Sequence, residues 1–262
     1  MRIFAYLLLL LSLIFCIYRC MEELGELSLE EDKDIDSKKI FIIGDSTVRY
    51  DYDDQRMGWG TSLVNDYMKE PKNGFNEARR GATAESYRTI DDYILKHKGP
   101  AYWERTKRLI LSTPDTNGSY LFIQFGSNDN IHNVPKQTFV KALKYYIDEA
   151  KEMGLTPVLI SPPNTRLKLN GKAYNNRGEF PSYIEEVAKQ EKVLYLNLHQ
   201  KSLKVFSALS KDELADKFGA IPYPDGRIDT THFSPKGAKI VANWVKVLAC
   251  EQDEVLCSQF KE

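Results

Sequence analysis

The sequence predicts an α/β fold in which a central parallel sheet carries helices on both faces. Three observations predict it. Apolar runs of strand length alternate along the chain with segments of helical spacing. These runs are continuously apolar, which is typical of parallel strands that are buried on both faces. Several of them end directly in Gly, Asp, Ser or Asn, the residues that favour a turn at a strand end.

The first predicted strand begins at Ile40 and runs Ile-Phe-Ile-Ile into Gly-Asp-Ser-Thr. Gly44 allows the backbone to bend there, and Asp45 is a common turn residue. Open α/β sheets bind their ligands outside the carboxyl ends of the strands, so Ser46 is expected on the rim where ligands bind. Taken alone, these residues are equally compatible with a strand that ends in an ordinary turn.

The remaining elements follow in chain order. Further strands are predicted at 120–125, 157–161 and 193–197, because each is a short apolar run, and a strand with a weaker apolar pattern is predicted at 75–78. Helical spacing predicts helices at 61–67, 83–95, 102–111, 139–153 and 181–190, shorter pieces within 200–218, and a last helix with its body at 238–249. Gly154 is the expected C-cap of one helix, and Ser234 is the expected N-cap of the last, with Pro235 in its first turn.

Length and charge restrict the class of protein. At 262 residues the chain is long enough for one large domain with a substantial core, which we place at 39–262. An acidic segment at 21–38 with few large apolar residues is predicted to be a solvated linker. The formal net charge is −1 and no dense stripe of Lys or Arg occurs, so we expect no nucleic-acid partner. We expect the protein to be a monomer.

The N-terminal segment differs in composition from the rest of the chain. Arg2 is followed by a leucine-rich apolar run at 3–18, which is short for a bilayer span of about 20 residues. A positive residue before a short apolar run indicates a secretory signal peptide at 1–20, so we expect a secreted protein. The alternative is an uncleaved membrane anchor, because bulky Tyr18 and Arg19 stand where a cleavage site needs small residues.

The cysteines and histidines do not predict a metal site. Cys250 and Cys257 could form a disulfide near the C-terminus of a secreted chain, and two free thiols are equally compatible with the sequence. Their spacing, with no further Cys or His pair nearby, is not that of a zinc site. The histidines occur singly, and His97, His132 and His199 are predicted to be surface or structural residues.

Ser46, Asp229 and His232 carry the residue types of serine acyl transfer. That chemistry needs a hydroxyl, a base that takes its proton, and an acid that orients the base. His232 follows Asp229 by three residues and precedes a predicted helix, so one loop could carry both base and orienting acid. Asp-x-x-His alone is typical of a turn before a helix, but its combination with Gly-Asp-Ser at a strand end favours a catalytic unit.

The donors for an oxyanion are also predicted at strand ends. They are the backbone N–H groups of Ser46 and Gly81 and the side-chain amide of Asn128, and each follows a predicted strand. Because the carboxyl ends of parallel strands lie along one edge of a sheet, these groups are expected to converge on one rim.

The chain resembles the SGNH (GDSL) hydrolases in four blocks, which are Gly44-Asp45-Ser46, Gly81, Gly126-Ser127-Asn128-Asp129 and Asp229-Thr-Thr-His232. More narrowly, it is similar to the rhamnogalacturonan acetylesterase branch of carbohydrate esterases in Gly-Asp-Ser-Thr-Val, Gly58-Trp59-Gly60, Ser161-Pro-Pro-Asn-Thr-Arg166 and Asp-Thr-Thr-His-Phe-Ser-Pro-Lys-Gly-Ala. The resemblance covers roughly residues 39–249.

The resemblance implies a flavodoxin-like, three-layer α/β/α sandwich and a role for each matched residue. Ser46 is implied to be the nucleophile, His232 the base and Asp229 the acid that orients it. Ser46, Gly81 and Asn128 are implied to be the oxyanion donors. No cofactor and no metal is implied.

Substrate contacts are less well indicated. Trp59, Tyr50 and Tyr52 could stack on sugar rings, although Trp59 is equally compatible with a place in the core. Arg166 and Arg177, on a long polar loop, are predicted either to contact an anionic polysaccharide or to be solvated.

The sequence therefore predicts a secreted serine esterase that removes O-acetyl groups from a plant cell-wall polysaccharide of the pectin or rhamnogalacturonan type through an acyl-enzyme. The expected partner is the acetylated polysaccharide, and stable membrane association is expected only if the N-terminal segment is uncleaved. One alternative is an esterase or lipase that acts on other small acyl esters. Another is a carbohydrate-binding relative without activity, which the presence of Ser46, Asp229 and His232 disfavours.

Overall fold

The computed structural model describes Arg19 and residues 38–49, 53–89 and 101–262. Its strands are β1 (Ile40–Gly44), β2 (Gly74–Asn76), β3 (Tyr120–Gln124), β4 (Thr156–Ile160), β5 (Lys168–Leu169), β6 (Lys172–Ala173), β7 (Leu194–Leu196), β8 (Ile221–Pro222) and β9 (Ile228–Asp229). Its α-helices are α1 (Trp59–Ser62), α2 (Ala84–Thr89), α3 (Tyr102–Ser112), α4 (Ser127–Ile131), α5 (Lys136–Glu152), α6 (Phe180–Glu191), α7 (Leu198–Ala208), α8 (Lys211–Phe218), α9 (Pro235–Cys250) and α10 (Glu254–Cys257).

Five of the strands form the central sheet, in the order β2-β1-β3-β4-β7, and all of their pairings are parallel. The predicted α/β class, with its parallel sheet between two helical layers, is confirmed. Two small antiparallel pairs, β5 with β6 and β8 with β9, lie outside this sheet. The carboxyl ends of β1 and β3 are neighbours, which brings the turns that follow them to one edge.

The sheet is buried on both faces, which explains why its strands are continuously apolar. In β1, Ile40 and Ile42 pack into a core with residues of α1, α7, α8 and α9. Phe41 and Ile43 point the other way, into a second core with residues of α2, α3, α5 and α6. Because side chains alternate along a strand, an uninterrupted apolar run supplies both cores at once.

The predicted elements agree with the structure to within a few residues, with three differences. The segment predicted as a helix at 61–67 is a short α-helix followed by a π-helical turn, Leu63–Tyr67. The turn predicted after β3 is the short helix α4. The long loops at 162–178 and 219–231 contain the pairs β5–β6 and β8–β9, because strands of two residues leave no periodicity in a sequence. Of the helix predicted at 83–95, residues 90–95 lie outside the described residues.

The long C-terminal helix, α9, begins just after the loop that carries His232 and ends at a disulfide. Ser234 is its N-cap, with Oγ accepting a hydrogen bond from the N–H of Gly237, and Pro235 is its first residue, as predicted. At its other end Cys250 is joined to Cys257 by a disulfide, which settles the alternative that the sequence left open. Nothing in the sequence distinguished a bonded pair from two free thiols.

Several predictions fall on residues that the structure does not describe. The signal peptide or anchor at 1–20 and the linker at 21–38 lie outside the described residues, apart from Arg19 and Lys38. Within the part of the chain that is described, no helix combines the length and the apolar character needed to cross a bilayer. His97 also lies outside the described residues, whereas His132 is exposed and His199 is buried.

Candidate active site

The turn after β1 presents Ser46 at the carboxyl edge of the sheet. The Oδ1 atom of Asp45 accepts hydrogen bonds from the N–H of Thr47 at 2.8 Å and from its hydroxyl at 2.7 Å, which closes a tight turn around Ser46. Position 44 requires glycine because β3 passes close to it: a Cβ there would lie 2.6 Å from the backbone oxygen of Gln124. Ser46 is therefore fixed by the packing of β1 against β3.

Ser46, His232 and Asp229 are in hydrogen-bond contact. The Oγ atom of Ser46 lies 2.8 Å from Nε2 of His232, and Nδ1 of His232 lies 2.8 Å from Oδ2 of Asp229. A carboxylate oxygen can only accept, so Nδ1 carries the proton and Nε2 is left to accept from the serine hydroxyl. The structure thus brings together the three residues that the sequence selected from distant segments.

Asp229 is completely buried and has partners on both carboxylate oxygens. Its Oδ1 accepts the backbone N–H groups of Thr231 and His232, both at 2.9 Å. Burial alone would raise the pKa of Asp229, but its hydrogen bonds from His232 and Arg56 hold that pKa well below its usual range. The carboxylate is therefore ionised throughout the neutral range and holds the histidine ring in one orientation.

The loop that carries His232 is joined to the residues around 57. The backbone N–H of Met57 donates to the carbonyl oxygen of Phe233 at 2.8 Å, in an isolated antiparallel bridge. Phe233 is fully buried, so the residue next to the histidine is fixed in the core. The ring of His232 remains 16% exposed, which leaves it accessible from the edge of the sheet.

The predicted oxyanion donors lie in segments that follow three neighbouring strands of the sheet, β1, β2 and β3. Gly81 has φ of 76°, a left-handed conformation that favours glycine, and it is exposed. The Nδ2 group of Asn128 donates one hydrogen to the carbonyl oxygen of Ala82 at 2.9 Å and keeps a second hydrogen for a ligand. Among the described residues, no acceptor bonds the backbone N–H of Ser46 or of Gly81. Three N–H donors are thus available at this edge.

Asp129 joins the two segments that carry Gly81 and Asn128. Its side chain is fully buried, Oδ1 accepts the N–H of Ala84 at 3.0 Å, and Oδ2 accepts the N–H of Gly126 at 2.9 Å. Burial raises the pKa of Asp129 to about 7, against the lowering effect of these two N–H donors. In the sequence Asp129 belongs to a recognisable motif, but nothing there indicates its role.

The prediction that Trp59 stacks on a sugar ring is wrong, and its alternative place in the core is confirmed. Trp59 is fully buried, and its Nε1–H donates to Oε1 of Gln124 at 2.8 Å. Gln124, at the end of β3, is itself fully buried and needs a donor for its side-chain oxygen. The indole supplies that donor while its ring fills the core, so no ring face is free for a ligand. Tyr50 and Tyr52 lie outside the described residues.

The predictions that Arg166 and Arg177 contact a polysaccharide or are solvated are also wrong. Arg166 is 7% exposed and its Nη2 donates to the backbone oxygen of Asp229 at 2.5 Å. Arg177 is 2% exposed and its Nε donates to the backbone oxygen of Pro163 at 2.8 Å. Burial lowers the pKa of both side chains to about 10. A loop that is polar in sequence folds inward here because its cations bond backbone carbonyls.

Arg56 is a contact of the site that the sequence analysis missed. It is 9% exposed, its Nε donates to Oδ2 of Asp229 at 2.9 Å, and its Nη1 donates to Oδ2 of Asp53 at 2.8 Å. The only signal in the sequence is its position directly before Met57-Gly58-Trp59-Gly60, and that position does not indicate which way the side chain points.

The family model described as GDSL-like lipase/acylhydrolase matches residues 40–245. RhgT, a rhamnogalacturonan acetylesterase of Bacillus subtilis, is 30% identical over 218 residues, which are 79% of this chain and 87% of the relative. YesY, a probable rhamnogalacturonan acetylesterase of the same organism, is 29% identical over 84% of this chain and 98% of the relative.

Solved structures share the fold at lower identity. The structure of YXIM from Bacillus subtilis has a TM-score of 0.63 and 22% identity over 82% of this chain, which spans 56% of that longer chain. Axe2, an acetylxylan esterase from Geobacillus stearothermophilus, has a TM-score of 0.52 and 16% identity over 80% of this chain and 93% of its own. The matched region runs from the strand before Ser46 to the helix after His232. The chain therefore belongs to the GDSL-like lipase/acylhydrolase family, in its rhamnogalacturonan acetylesterase-like branch, and is a carboxylic ester hydrolase.

Proposed function

We propose that the protein removes O-acetyl groups from a plant cell-wall polysaccharide of the rhamnogalacturonan type, with Ser46 as the nucleophile. The observation that carries the proposal is the contact chain from Ser46 Oγ through the His232 ring to Asp229, with 2.8 Å at each step. Nucleophile, base and orienting carboxylate in this arrangement are the parts that acyl transfer to serine requires.

In the first half of the reaction, the Oγ atom of Ser46 attacks the acetyl carbonyl carbon while Nε2 of His232 takes the hydroxyl proton. The carbonyl oxygen becomes an anion, for which the N–H groups of Ser46, Gly81 and Asn128 are the available donors. Collapse of the tetrahedral species breaks the bond to the sugar oxygen, which leaves with the proton from His232. The acetyl group is then bonded to Ser46.

In the second half, a water molecule replaces the sugar. His232 takes one proton from it as the water oxygen attacks the acetyl carbon, and the same donors hold the new anion. The bond to Oγ then breaks, His232 returns its proton to Ser46, and acetic acid leaves. Asp229 does not move a proton in either half; it holds the ring and stabilises its charged form.

The substrate class is proposed from the relatives. RhgT is named as a rhamnogalacturonan acetylesterase, and this chain is 30% identical to it over most of both sequences. Axe2, which shares the fold, is named as an acetylxylan esterase. Both names describe removal of acetyl groups from a carbohydrate, and we extend that activity to this chain.

Secretion is part of the proposal. A cell-wall polysaccharide is outside the cell, and the segment at 1–20 has the charge and apolar run of a signal peptide. The bond between Cys250 and Cys257 supports export, since disulfides persist mainly in oxidising compartments.

A cavity of about 430 Å³ is the feature that favours the alternative of longer acyl esters. It has apolar lining residues, among them Leu167, Leu214 and Ile228. Its described lining includes Asp229 and Thr230 but neither Ser46 nor His232, so it does not open at the nucleophile. A long acyl chain gains about 0.8 kcal/mol for each CH₂ that it buries, so this cavity would favour long acyl groups only if the chain could reach it from Ser46.

The test is a panel of substrates with the full chain and its Ser46→Ala variant. We expect acetate release from acetylated rhamnogalacturonan to exceed release from acetylated xylan. For esters of one leaving group, kcat/KM should fall from acetyl to butyryl to octanoyl. Ser46→Ala should release no acetate above background. A kcat/KM that rises up to octanoyl would instead support a lipase, and equal rates on both polymers would contradict the rhamnogalacturonan assignment.

A further inference from the structure

We propose that Arg56 is a positioning residue that acts through Asp229 and sets the pH at which the His232 ring takes up its proton. The inference rests on the proposed role of His232 as the base. It goes beyond the three-residue unit by adding a buried cation and a second carboxylate, Asp53, behind it.

The first observation is where the guanidinium bonds. Arg56 Nε donates to Oδ2 of Asp229, the same oxygen that accepts from Nδ1 of His232. Asp229 is completely buried and Arg56 is 9% exposed, so water screens this pair weakly. Oδ2 of Asp229, which would stabilise a charged His232 ring, therefore also accepts a hydrogen bond from a permanent cation.

The second observation is that Arg56 is built into this place. The Oδ1 atom of Asp53 accepts the N–H groups of Gln55 and Arg56, both at 2.9 Å, and its Oδ2 accepts Nη1 of Arg56 at 2.8 Å. The ring of Tyr223 lies 5.3 Å from the guanidinium carbon. The next residue, Met57, is joined to the histidine loop by its backbone bridge. Arg56 therefore has a fixed orientation between two carboxylates.

Other charged or titratable groups also face Asp229 and His232 in the described part of the chain. Arg166 donates to the backbone oxygen of Asp229 from the loop after β4, and Tyr223, between β8 and β9, lies near the guanidinium groups of Arg56 and Arg166. Ser46 faces the ring from the end of β1. Of the two cations, Arg56 is the one that bonds the carboxylate itself, so its removal should have the larger effect on the histidine.

Electrostatics gives the sign of the effect. The positive charge of Arg56 opposes a positive charge on the His232 ring, and the negative charge of Asp53 partly offsets Arg56. Removing Arg56 should therefore move protonation of the ring to higher pH. Removing the charge of Asp53 should move it to lower pH. A residue that only stabilises the fold would not produce shifts of opposite sign from two neighbours that bond each other.

The experiment is an NMR titration of the His232 ring in the resting protein, with the resonance assigned by its loss in His232→Gln. We expect Arg56→Met to raise the titration midpoint by about one pH unit, because water only partly screens a charge so close to the ring. Asp53→Asn, whose side-chain oxygen can still accept the local N–H groups, should lower the midpoint by less. Arg56→Lys should restore most of the wild-type value, because it keeps the charge.

Arg227→Met is the matched control. Arg227 also lies over the ring of Tyr223, at 5.8 Å, but it pairs with Asp225 and is 80% exposed. Its removal should leave the midpoint within about 0.2 pH unit, since exposed charges are screened. A shift as large as that of Arg56→Met would show a general charge effect and overturn the assignment.

Kinetics gives the second readout. The acidic limb of kcat/KM for an aryl acetate should move in the same directions, and Arg56→Met should lower kcat on the order of tenfold or more because Asp229 loses a fixed partner. If Arg56→Met does not fold, Asp53→Asn decides alone: no shift, or an upward shift, overturns the proposal. The titration needs no substrate, so a protein that shows the shifts but does not deacetylate polysaccharide would contradict only the proposed function.

Discussion

The two regions that meet at Ser46 and His232 are held in place by different forces. Ser46 follows β1, a fully buried strand that pairs with β2 on one side and with β3 on the other. His232 follows β9, a strand of two residues, one of which, Ile228, is 49% exposed. The first region is fixed by backbone pairing and apolar packing. The second depends on hydrogen bonds from Arg56 and Arg166 to Asp229.

This difference separates what should disturb each region. Backbone pairing and apolar packing respond little to pH, so the position of Ser46 should be constant while the protein is folded. Charge-assisted hydrogen bonds are stronger than neutral ones, but a buried ion pair that loses one partner costs about 3–5 kcal/mol. The loop of the base is therefore the part of the site in which single charge changes have the greatest effect.

The largest expected effect tests whether the two regions act as one unit. Ser46→Ala and His232→Ala should each lower kcat by several orders of magnitude, and the double variant should be no worse than either alone, because members of one catalytic unit are not additive. The measurement is acetate release under saturating substrate, with thermal unfolding as the check on folding. Retention of more than about a tenth of wild-type kcat by Ser46→Ala would remove it as the nucleophile.

The next effect concerns the strand edge alone. Asn128→Ala should lower kcat about 10²–10³-fold with little change in KM, because one oxyanion donor is lost. The Nδ2 contact with Ala82 is also lost, at a cost of about 1 kcal/mol in stability. Steady-state kinetics measures the loss of the oxyanion donor, and thermal unfolding measures the loss of the contact with Ala82. An unchanged kcat with a large fall in melting temperature would assign Asn128 a structural role only.

How far the sequence predicts the molecule also differs between the two regions. The strands and the placing of Ser46 and Asn128 follow from apolar runs that end in turn residues, because the carboxyl ends of parallel strands share an edge. Trp59 and Arg166 were misplaced because a sequence shows the type of a side chain but not the face it takes. Trp59 turns inward to supply a donor to the buried Gln124.

Arg56 shows the same limit more sharply. Its partner Asp229 is 173 residues away, and no spacing rule relates the two positions. Buried ion pairs between distant segments depend on the finished fold, so only the structure could place this cation behind the histidine. Asp129 is the opposite case, since its motif was visible and only its acceptor role for two separate turns was missing.

The smallest expected effect is on stability and concerns Asp129. It tests whether the turns at the carboxyl edge of the sheet depend on the ionisation of a buried carboxyl group. The folded pKa of Asp129, about 7, is raised above the unfolded value, so its protonation contributes stability that is fully present below about pH 4 and is lost as pH rises through about 7. The Asp129→Asn side chain does not titrate, so it adds no pH dependence of its own. It can accept only one of the two N–H groups, and the lost hydrogen bond costs about 1–3 kcal/mol of stability. We therefore expect the variant to be less stable than wild type at pH 5 and the gap to narrow by pH 8, as measured by denaturant unfolding.

Asp225→Asn is the control for that titration. The hydrogen bond from exposed Arg227 lowers the pKa of Asp225. Any stability that ionised Asp225 contributes is therefore lost only in acidic solution, below the pH range of this experiment. Its gap to wild type should be constant from pH 5 to pH 8. If the Asp129→Asn gap were equally constant, the carboxylate would be ionised across this range, and the two N–H donors would outweigh the cost of burial. The stability of the turns at the edge of the sheet would then not depend on pH between 5 and 8, and only the loop that carries His232 would respond to changes in charge.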